Sequence, residues 1–201
     1  MIVSFAHNYI YFRPKKTGSS TIVEVLRLSL GKEDISRRTE LPSDLEVGRR
    51  ALHMIAPDVR KVVSQEFWDR SFKFASERHP YEKAISLAYF RFGQQDSQNN
   101  PSRRFDALLG RVVASGDYRG YPYYSIDGQP IVQEFIRHET LERDLRRVAG
   151  KLGLPVPEHL PVKKGNYRLD QRPAHEILTT TQKATIYDFC REEFELLGYE
   201  R

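Results

Sequence analysis

An α/β fold, a sheet carrying helices on its faces, is what this sequence predicts, on three observations. Short β-branched and aromatic runs alternate along the chain with stretches whose apolar residues recur at helical spacing. Two of those runs pass through loops containing Pro or Gly directly into amphipathic helices. The chain has 201 residues, 39% hydrophobic and 11% aromatic, which suits one domain with a core of ordinary size.

The elements follow in order. Ile2–Phe5 and Tyr9–Phe12 are strand-like runs around Ala6-His7-Asn8, a tight reversal into a buried strand. Past the loop that follows, Ile22, Val25, Leu26 and Leu30 recur at helical spacing, and Gly31 is a stop. Residues 32–52 are mostly charged and irregular. Pro57 opens a short helix to Gln65, Phe72–Ala75 reads as a strand, and a helix runs from Tyr81 to Phe92. The polar stretch Gly93–Arg104 is a mobile loop or a substrate-binding rim. Phe105–Ala114 is helical, residues 116–130 form a long irregular loop, and Val132–Arg137 is a further strand. Helices occupy Leu141–Leu152 and Thr181–Leu197, the second containing Cys190.

Charge and cysteine usage narrow the setting. Lys+Arg 32 against Asp+Glu 27 leaves +5 and a pI of about 9.3, which favours an anionic partner. A single cysteine excludes an intrachain disulfide, and its spacing against the six histidines suits no metal. No apolar stretch approaches the roughly 18 residues of a membrane span, and the first residues lack a signal-peptide layout. A cytoplasmic protein without a membrane span is expected.

The chemistry concentrates where the first buried strand meets its helix, in "YIYFRPKKTGSST". The first turn of a helix presents unpaired backbone N–H groups and a positive dipole end, a natural seat for phosphate. Gly18 lets the backbone approach an anion, the hydroxyls of Thr17, Ser19, Ser20 and Thr21 add donors, and Lys16 supplies a mobile full charge. The lysine precedes the glycine, so the GxxxxGK[ST] loop of nucleoside triphosphatases is absent. The second junction, "FKFASERHPYEKAISLAYF", sets Arg78 and Ser86 on either side of Pro80 and an amphipathic turn.

Together the two stretches resemble those of sulfotransferases that use 3′-phosphoadenosine 5′-phosphosulfate (PAPS). In that family a lysine-containing strand, loop and helix such as PKTGGTS holds the 5′-phosphosulfate, and an R-x-P-(x)-x-R-x-x-S stretch holds the 3′-phosphate. Lys16 to Thr21 match the first, with Lys15 intervening between Pro14 and Lys16 as a second candidate cation, and Arg78, Pro80 and Ser86 match the second. "ALHMIAPDVRKVVSQEFWDRSFKF", "FIRHETLERDL" and "REEFELLGYER" resemble segments of the carbohydrate-type branch, so the resemblance spans nearly the whole chain. Two departures stand out: Glu77 replaces an apolar residue before the arginine, and His79 replaces Asp or Asn.

The resemblance implies a parallel-sheet, P-loop-like sulfotransferase fold with helices on both faces, with PAPS as donor and no metal. The acceptor would be a hydroxyl, with a carbohydrate favoured, and the variable loops 32–52, 93–104 and 115–130 would shape its pocket. Lys16 would stabilise the leaving phosphate. A base titrating near neutrality would take the acceptor proton, and His53 stands at the register of the branch's histidine. A carboxylate in 32–52 or Glu139 is the other candidate base. Lys163, Lys164, Gly165 and Arg168 resemble the basic loop that closes over the nucleotide, although a solvated basic loop has the same composition. Two other classes remain open. A nucleotide or small-molecule kinase would share the cradle but calls for GxxxxGK[ST] and an acidic magnesium ligand. A nucleic-acid-binding module would draw on the basic charge and the Tyr118–Tyr124 aromatics, against which acidic residues are interleaved throughout.

Overall fold

The computed structural model describes residues 1–36, 53–92, 101–161, 168 and 170–201, of which 101–104 are described as backbone only. Most of the 32–52 and 93–104 stretches, and Lys163, Lys164 and Gly165, lie outside the described residues. In chain order the elements are β1 (Ile2–Ser4), β2 (Tyr9–Phe12), α1 (Ser19–Leu26), α2 (Ala56–Lys61), α3 (Gln65–Arg70), β3 (Phe72–Glu77) and α4 (Pro80–Phe92). They continue with α5 (Pro101–Ser115), β4 (Ser125–Ile126), β5 (Gln129–Pro130), β6 (Glu134–Arg137), α6 (Leu141–Lys151), α7 (Ala174–Ile177), α8 (Thr180–Phe189) and α9 (Arg191–Leu197). The chain divides into two compact units, Met1–Glu77 with Tyr121–Lys163, and Arg78–Gly120 with Lys164–Arg201.

The first unit holds the sheet, in the order β1-β2-β3-β6. β2 pairs parallel with β3, and β3 pairs parallel with β6. β1 runs antiparallel to β2, because the four residues Phe5 to Asn8 are too few for a crossover and suffice only for a reversal. The sheet is therefore mixed, where a purely parallel one was expected. Side chains alternate across it. Ile10, Phe12 and Ala75 pack with Ala56, Val59, Phe67 and Trp68 of α2 and α3. Tyr9, Tyr11, Phe74 and Ile136 pack with α1 and α6 through Ile22, Val25, Leu145 and Val148. Helices thus cover both faces of this sheet, as expected.

The second unit is helical. Its core gathers Ala84, Ile85 and Ala88 of α4, Leu109 and Val112 of α5, Ile186 of α8 and Phe194 of α9. Inside it Lys83 and Glu193, both fully buried, face each other with Nζ 3.8 Å from Oε1. Among the described residues no helix is long and apolar enough to cross a membrane.

Several boundaries differ from expectation for local reasons. The helix expected from Pro57 to Gln65 ends at Lys61, and a further helix, α3, starts where it was expected to stop, because Ser64 takes an extended conformation and caps α3 by accepting from Phe67 N–H. The 116–130 loop contains a hairpin, β4 and β5, turned by Asp127 at φ 51° and Gly128 at φ 72°. Two left-handed central residues are what a tight primed turn requires. The C-terminal helix divides into α8 and α9 at Cys190, whose φ of −117° breaks the helical path, so Cys190 caps two helices where a mid-helix position was expected. Thr179 and Gln182 form a capping box at the start of α8.

Candidate functional site

At the end of β2 the chain runs from Arg13 to Gly18 and then begins α1. Lys16 (φ 64°) and Gly18 (φ 74°) are left-handed, and their neighbours Lys15, Thr17 and Ser19 are not. A left-handed residue followed by a right-handed helical one turns successive N–H groups the same way into a concavity, the arrangement that holds anions, and Gly18 followed by Ser19 at the start of α1 is such a pair. Among the described residues no side chain caps α1, so its positive end faces that concavity uncovered by a cap. A Cβ on Gly18 would lie 2.6 Å from Leu141 Cδ1 and 3.0 Å from His138 Cδ2, so the turn after β6 closes against the loop. Gly18→Ala therefore combines a left-handed side chain with a clash. It is expected to cost about 1–3 kcal/mol in chemical denaturation, and to weaken anion binding at the loop in the same preparation.

The hydroxyls divide by what they hold. Thr17 is fully buried. Its hydroxyl donates to Pro14 O at 3.1 Å and lies 2.7 Å from Ser76 Oγ, which lies 2.7 Å from the Tyr11 hydroxyl. Each hydroxyl has one proton to give. The order must then be Tyr11 to Ser76, Ser76 to Thr17, and Thr17 to Pro14 O. The Thr17 hydroxyl thus ties the loop to β3, where the sequence had suggested a donor to phosphate. Thr21 likewise donates to Pro161 O at 2.9 Å. Ser19 and Ser20 accept from Arg13 Nε and Nη2 at 3.0 and 3.5 Å, which sets a guanidinium beside the first turn of α1. Arg13 was not among the expected residues. Its only signal was its place, the first cation after the strand and ahead of Lys15 and Lys16.

His53 meets the same loop. Its Nδ1 is 2.9 Å from Arg13 O, and because a carbonyl only accepts, Nδ1 carries the proton and the neutral ring keeps its lone pair at Nε2. Burial, helped by the positive charges of Arg13, the N-terminus and Lys15 and opposed by the carbonyl hydrogen bond, brings the imidazole down to about 4. The base titrating near neutrality that was expected here is thus displaced to acid pH by desolvation, and the ring is neutral throughout the neutral range. Glu139, a further candidate base, lies in a 3-10 turn, His138–Thr140. Asp144 fastens that turn by accepting from Arg137 N–H at 3.1 Å and the Thr140 hydroxyl at 2.7 Å. Of the carboxylates in 32–52, Glu33 is exposed, Asp34 is buried and accepts from the Ser4 hydroxyl at 2.8 Å and from Phe5 N–H at 2.7 Å, and the others lie outside the described residues.

The second unit presents its own cluster, in which Arg78 Nη2 donates to Glu82 Oε2 at 3.0 Å and Arg168 Nη1 donates to the same oxygen at 2.6 Å. Ala174 N–H donates to the other oxygen, Oε1, at 3.0 Å. Two residues assigned to donor binding from separate motifs thus converge on one carboxylate. Arg168 also donates through Nε to Asp170 O and through Nη2 to Arg172 O, so it also folds its own segment. Ser86 lies four residues beyond Glu82 on α4, on the same helical face.

The two departures in the motif have plain structural roles. Glu77 is fully buried in the sheet unit and accepts from the Tyr124 hydroxyl at 3.1 Å. His79 donates from Nε2 to Glu200 O at 3.0 Å and accepts at Nδ1 from Tyr81 N–H at 3.3 Å, so it anchors the C-terminal residues. A separate cavity of about 500 Å³ lies along β6 and α6, lined by Phe135, Arg137, Arg143 and Arg147 among others, and none of the expected site residues lines it. No protein-family model, curated protein or solved structure matches the chain.

Proposed function

We propose that this protein is a PAPS-dependent sulfotransferase that moves a sulfuryl group to an acceptor hydroxyl, with a carbohydrate as the favoured acceptor, on a P-loop-like sulfotransferase fold. One observation carries the reading: an uncapped α1 behind a loop of alternating hand, with Lys16 and Gly18 at its left-handed positions and a neutral His53 hydrogen-bonded to that loop. The loop offers N–H groups and cations to a phosphosulfate. His53 offers a lone pair with its tautomer already fixed. The sulfuryl group passes in line from the phosphate oxygen to the acceptor oxygen. The S–O bond to the phosphate breaks as the new S–O bond forms, and the acceptor proton goes to Nε2 of His53. Lys16 meets the charge that grows on the departing phosphate, and Arg13 and Lys15 add positive charge around it. Arg78 and Ser86 take the 3′-phosphate.

Calorimetry with 3′-phosphoadenosine 5′-phosphate beside ATP tests the class. Tight binding of the bisphosphate alone supports it, and preference for ATP with magnesium would move the protein to the kinases. Within the same assay Arg78→Ala is expected to weaken the bisphosphate by about 1.5–3 kcal/mol, the worth of a charged hydrogen bond. Adenosine 5′-phosphate, which lacks the contacted group, should lose little. Equal weakening of both nucleotides would remove Arg78 from the 3′-phosphate.

A further inference from the structure

The hydroxyls of Tyr11, Ser76 and Thr17 form a one-way chain into the loop before α1. Tyr11 donates to Ser76 at 2.7 Å, Ser76 to Thr17 at 2.7 Å, and Thr17 to Pro14 O at 3.1 Å. Each of the three protons is committed, so none can reach a ligand without breaking the chain. All three residues are fully buried, and Tyr11 packs in the apolar cluster of Phe74, Ile22 and Val25. Apolar side chains of the same shape would fill that space with no polar group to satisfy. What the hydroxyls add is direction, because a fully satisfied buried network fixes one arrangement of its members. The last link, from Thr17 to Pro14 O, spans Lys15 and Lys16. Within that span Lys16 holds a φ of 64°, a conformation that lysine does not favour and that persists only where its surroundings impose it. The same link engages Pro14 O with a buried donor; a carbonyl turned the other way would oppose an anion in the concavity.

We propose that Tyr11 and Ser76 are positioning residues for the anion loop: acting through Thr17, they hold Lys16 in its left-handed conformation and the loop in its anion-binding shape before a ligand arrives. Neither touches the ligand, since both are closed off from solvent. Tyr11 stands on β2 and Ser76 on β3, so the chain fixes the loop against two paired strands of the sheet. The ordering of the loop is then completed on folding and not on binding, which is how a rigid site gains affinity. The inference rests on the anion-binding reading of the loop given above.

The test titrates the full chain with 3′-phosphoadenosine 5′-phosphate, and separately with inorganic phosphate, reading binding at the Gly18 and Ser19 amide resonances. Ser76→Ala, with its folding checked by thermal melting, is expected to weaken both ligands by about tenfold, the scale of one hydrogen bond. Thr17→Val keeps the shape of threonine without the hydroxyl and should weaken them at least as much, whereas Thr17→Ser keeps the hydroxyl and should bind as the parent does. Because Ser76 acts through Thr17, the double variant Ser76→Ala/Thr17→Val should bind no more weakly than Thr17→Val alone. Losses that add, or parental affinity in folded Ser76→Ala, overturn the proposal. If Ser76→Ala does not fold, Tyr11→Phe takes its place, since it removes only the far hydroxyl and keeps the ring. A loss of about threefold is expected there, the lower end of the same scale, and parental affinity is the contrary result. The two ligands separate this idea from the nucleotide reading. If the parent ignores the bisphosphate while phosphate moves the loop amides and Ser76→Ala weakens it, the nucleotide reading falls and the positioning role stands. If the bisphosphate binds and the variants bind it as the parent does, the positioning role falls alone. If neither ligand moves those amides, both fall.

Discussion

Lys83→Met is expected to destabilise the protein by about 3–5 kcal/mol, the usual consequence of leaving one member of a buried ion pair without its partner. Lys83 and Glu193 are both fully buried, with Nζ 3.8 Å from Oε1, among the apolar side chains that make the core of the helical unit. Methionine fills nearly the volume of lysine, so the loss is electrostatic: Glu193 stays in the core with less compensation. The Glu193 carboxylate also accepts from Gly120 N–H at 2.7 Å, so truncating it would expose a second deficit. Glu193→Gln keeps that acceptor while removing the charge. The double variant Lys83→Met/Glu193→Gln should therefore recover at least about 2 kcal/mol of the loss, a coupling of the size seen between contacting residues. Urea unfolding of the four proteins in the cycle measures it. Additive single effects would show that the two charges do not support each other.

The alternation of strand and helix was legible because each element obeys its own period within a few residues. β2 is a run of four β-branched and aromatic residues, all buried, and α4 and α6 keep helical spacing. The break at Cys190 was not legible, since neither Gly nor Pro marks it and the apolar period continues across it. The hairpin at Asp127-Gly128 carried a readable turn pair, but strands of two residues show no alternation. In the site, Gly18 was readable as the residue that accepts a left-handed backbone and close packing. Lys16 was not readable as left-handed, because lysine has no such preference. Thr17 looked like a phosphate donor since a hydroxyl next to a glycine serves either a ligand or the fold, and only its burial against Ser76 decides. Glu82 was readable as an i,i+4 partner of Arg78. That it also holds Arg168 depends on the folding of a segment 86 residues away.

His53→Asn is expected to leave bisphosphate affinity nearly unchanged and to lower turnover by roughly 10²–10⁴, the usual contribution of a positioned base. Asparagine is the informative substitution, because its side-chain N–H can stand in for Nδ1–H on Arg13 O while nothing replaces the lone pair at Nε2. A screen of sugar and phenol acceptors supplies the assay. Near-parental turnover in a folded, ligand-binding variant would move the base elsewhere, with Glu139 or a carboxylate of 32–52 next. The pH profile follows from burial. With the imidazole at about 4 in the free protein, kcat/KM for the donor should be level across the neutral range and fall only as the pH drops toward that value, and the variant should lack the falling limb. The same shift acts on stability. The unfolded ring titrates near 6.5, so between there and about 4 the unfolded chain takes up a proton that the folded chain does not, and stability is lost as the pH falls through that window. Replacing His53 removes its share of that loss. Arg13 and Lys15 are among the charges that hold the ring down, so a polyanion seated in the loop should neutralise them and raise it. NMR titration of His53 with and without 3′-phosphoadenosine 5′-phosphate reads this before any acceptor is known. An unchanged midpoint with the nucleotide bound would place the ligand away from the loop, and the base assignment would fall with it.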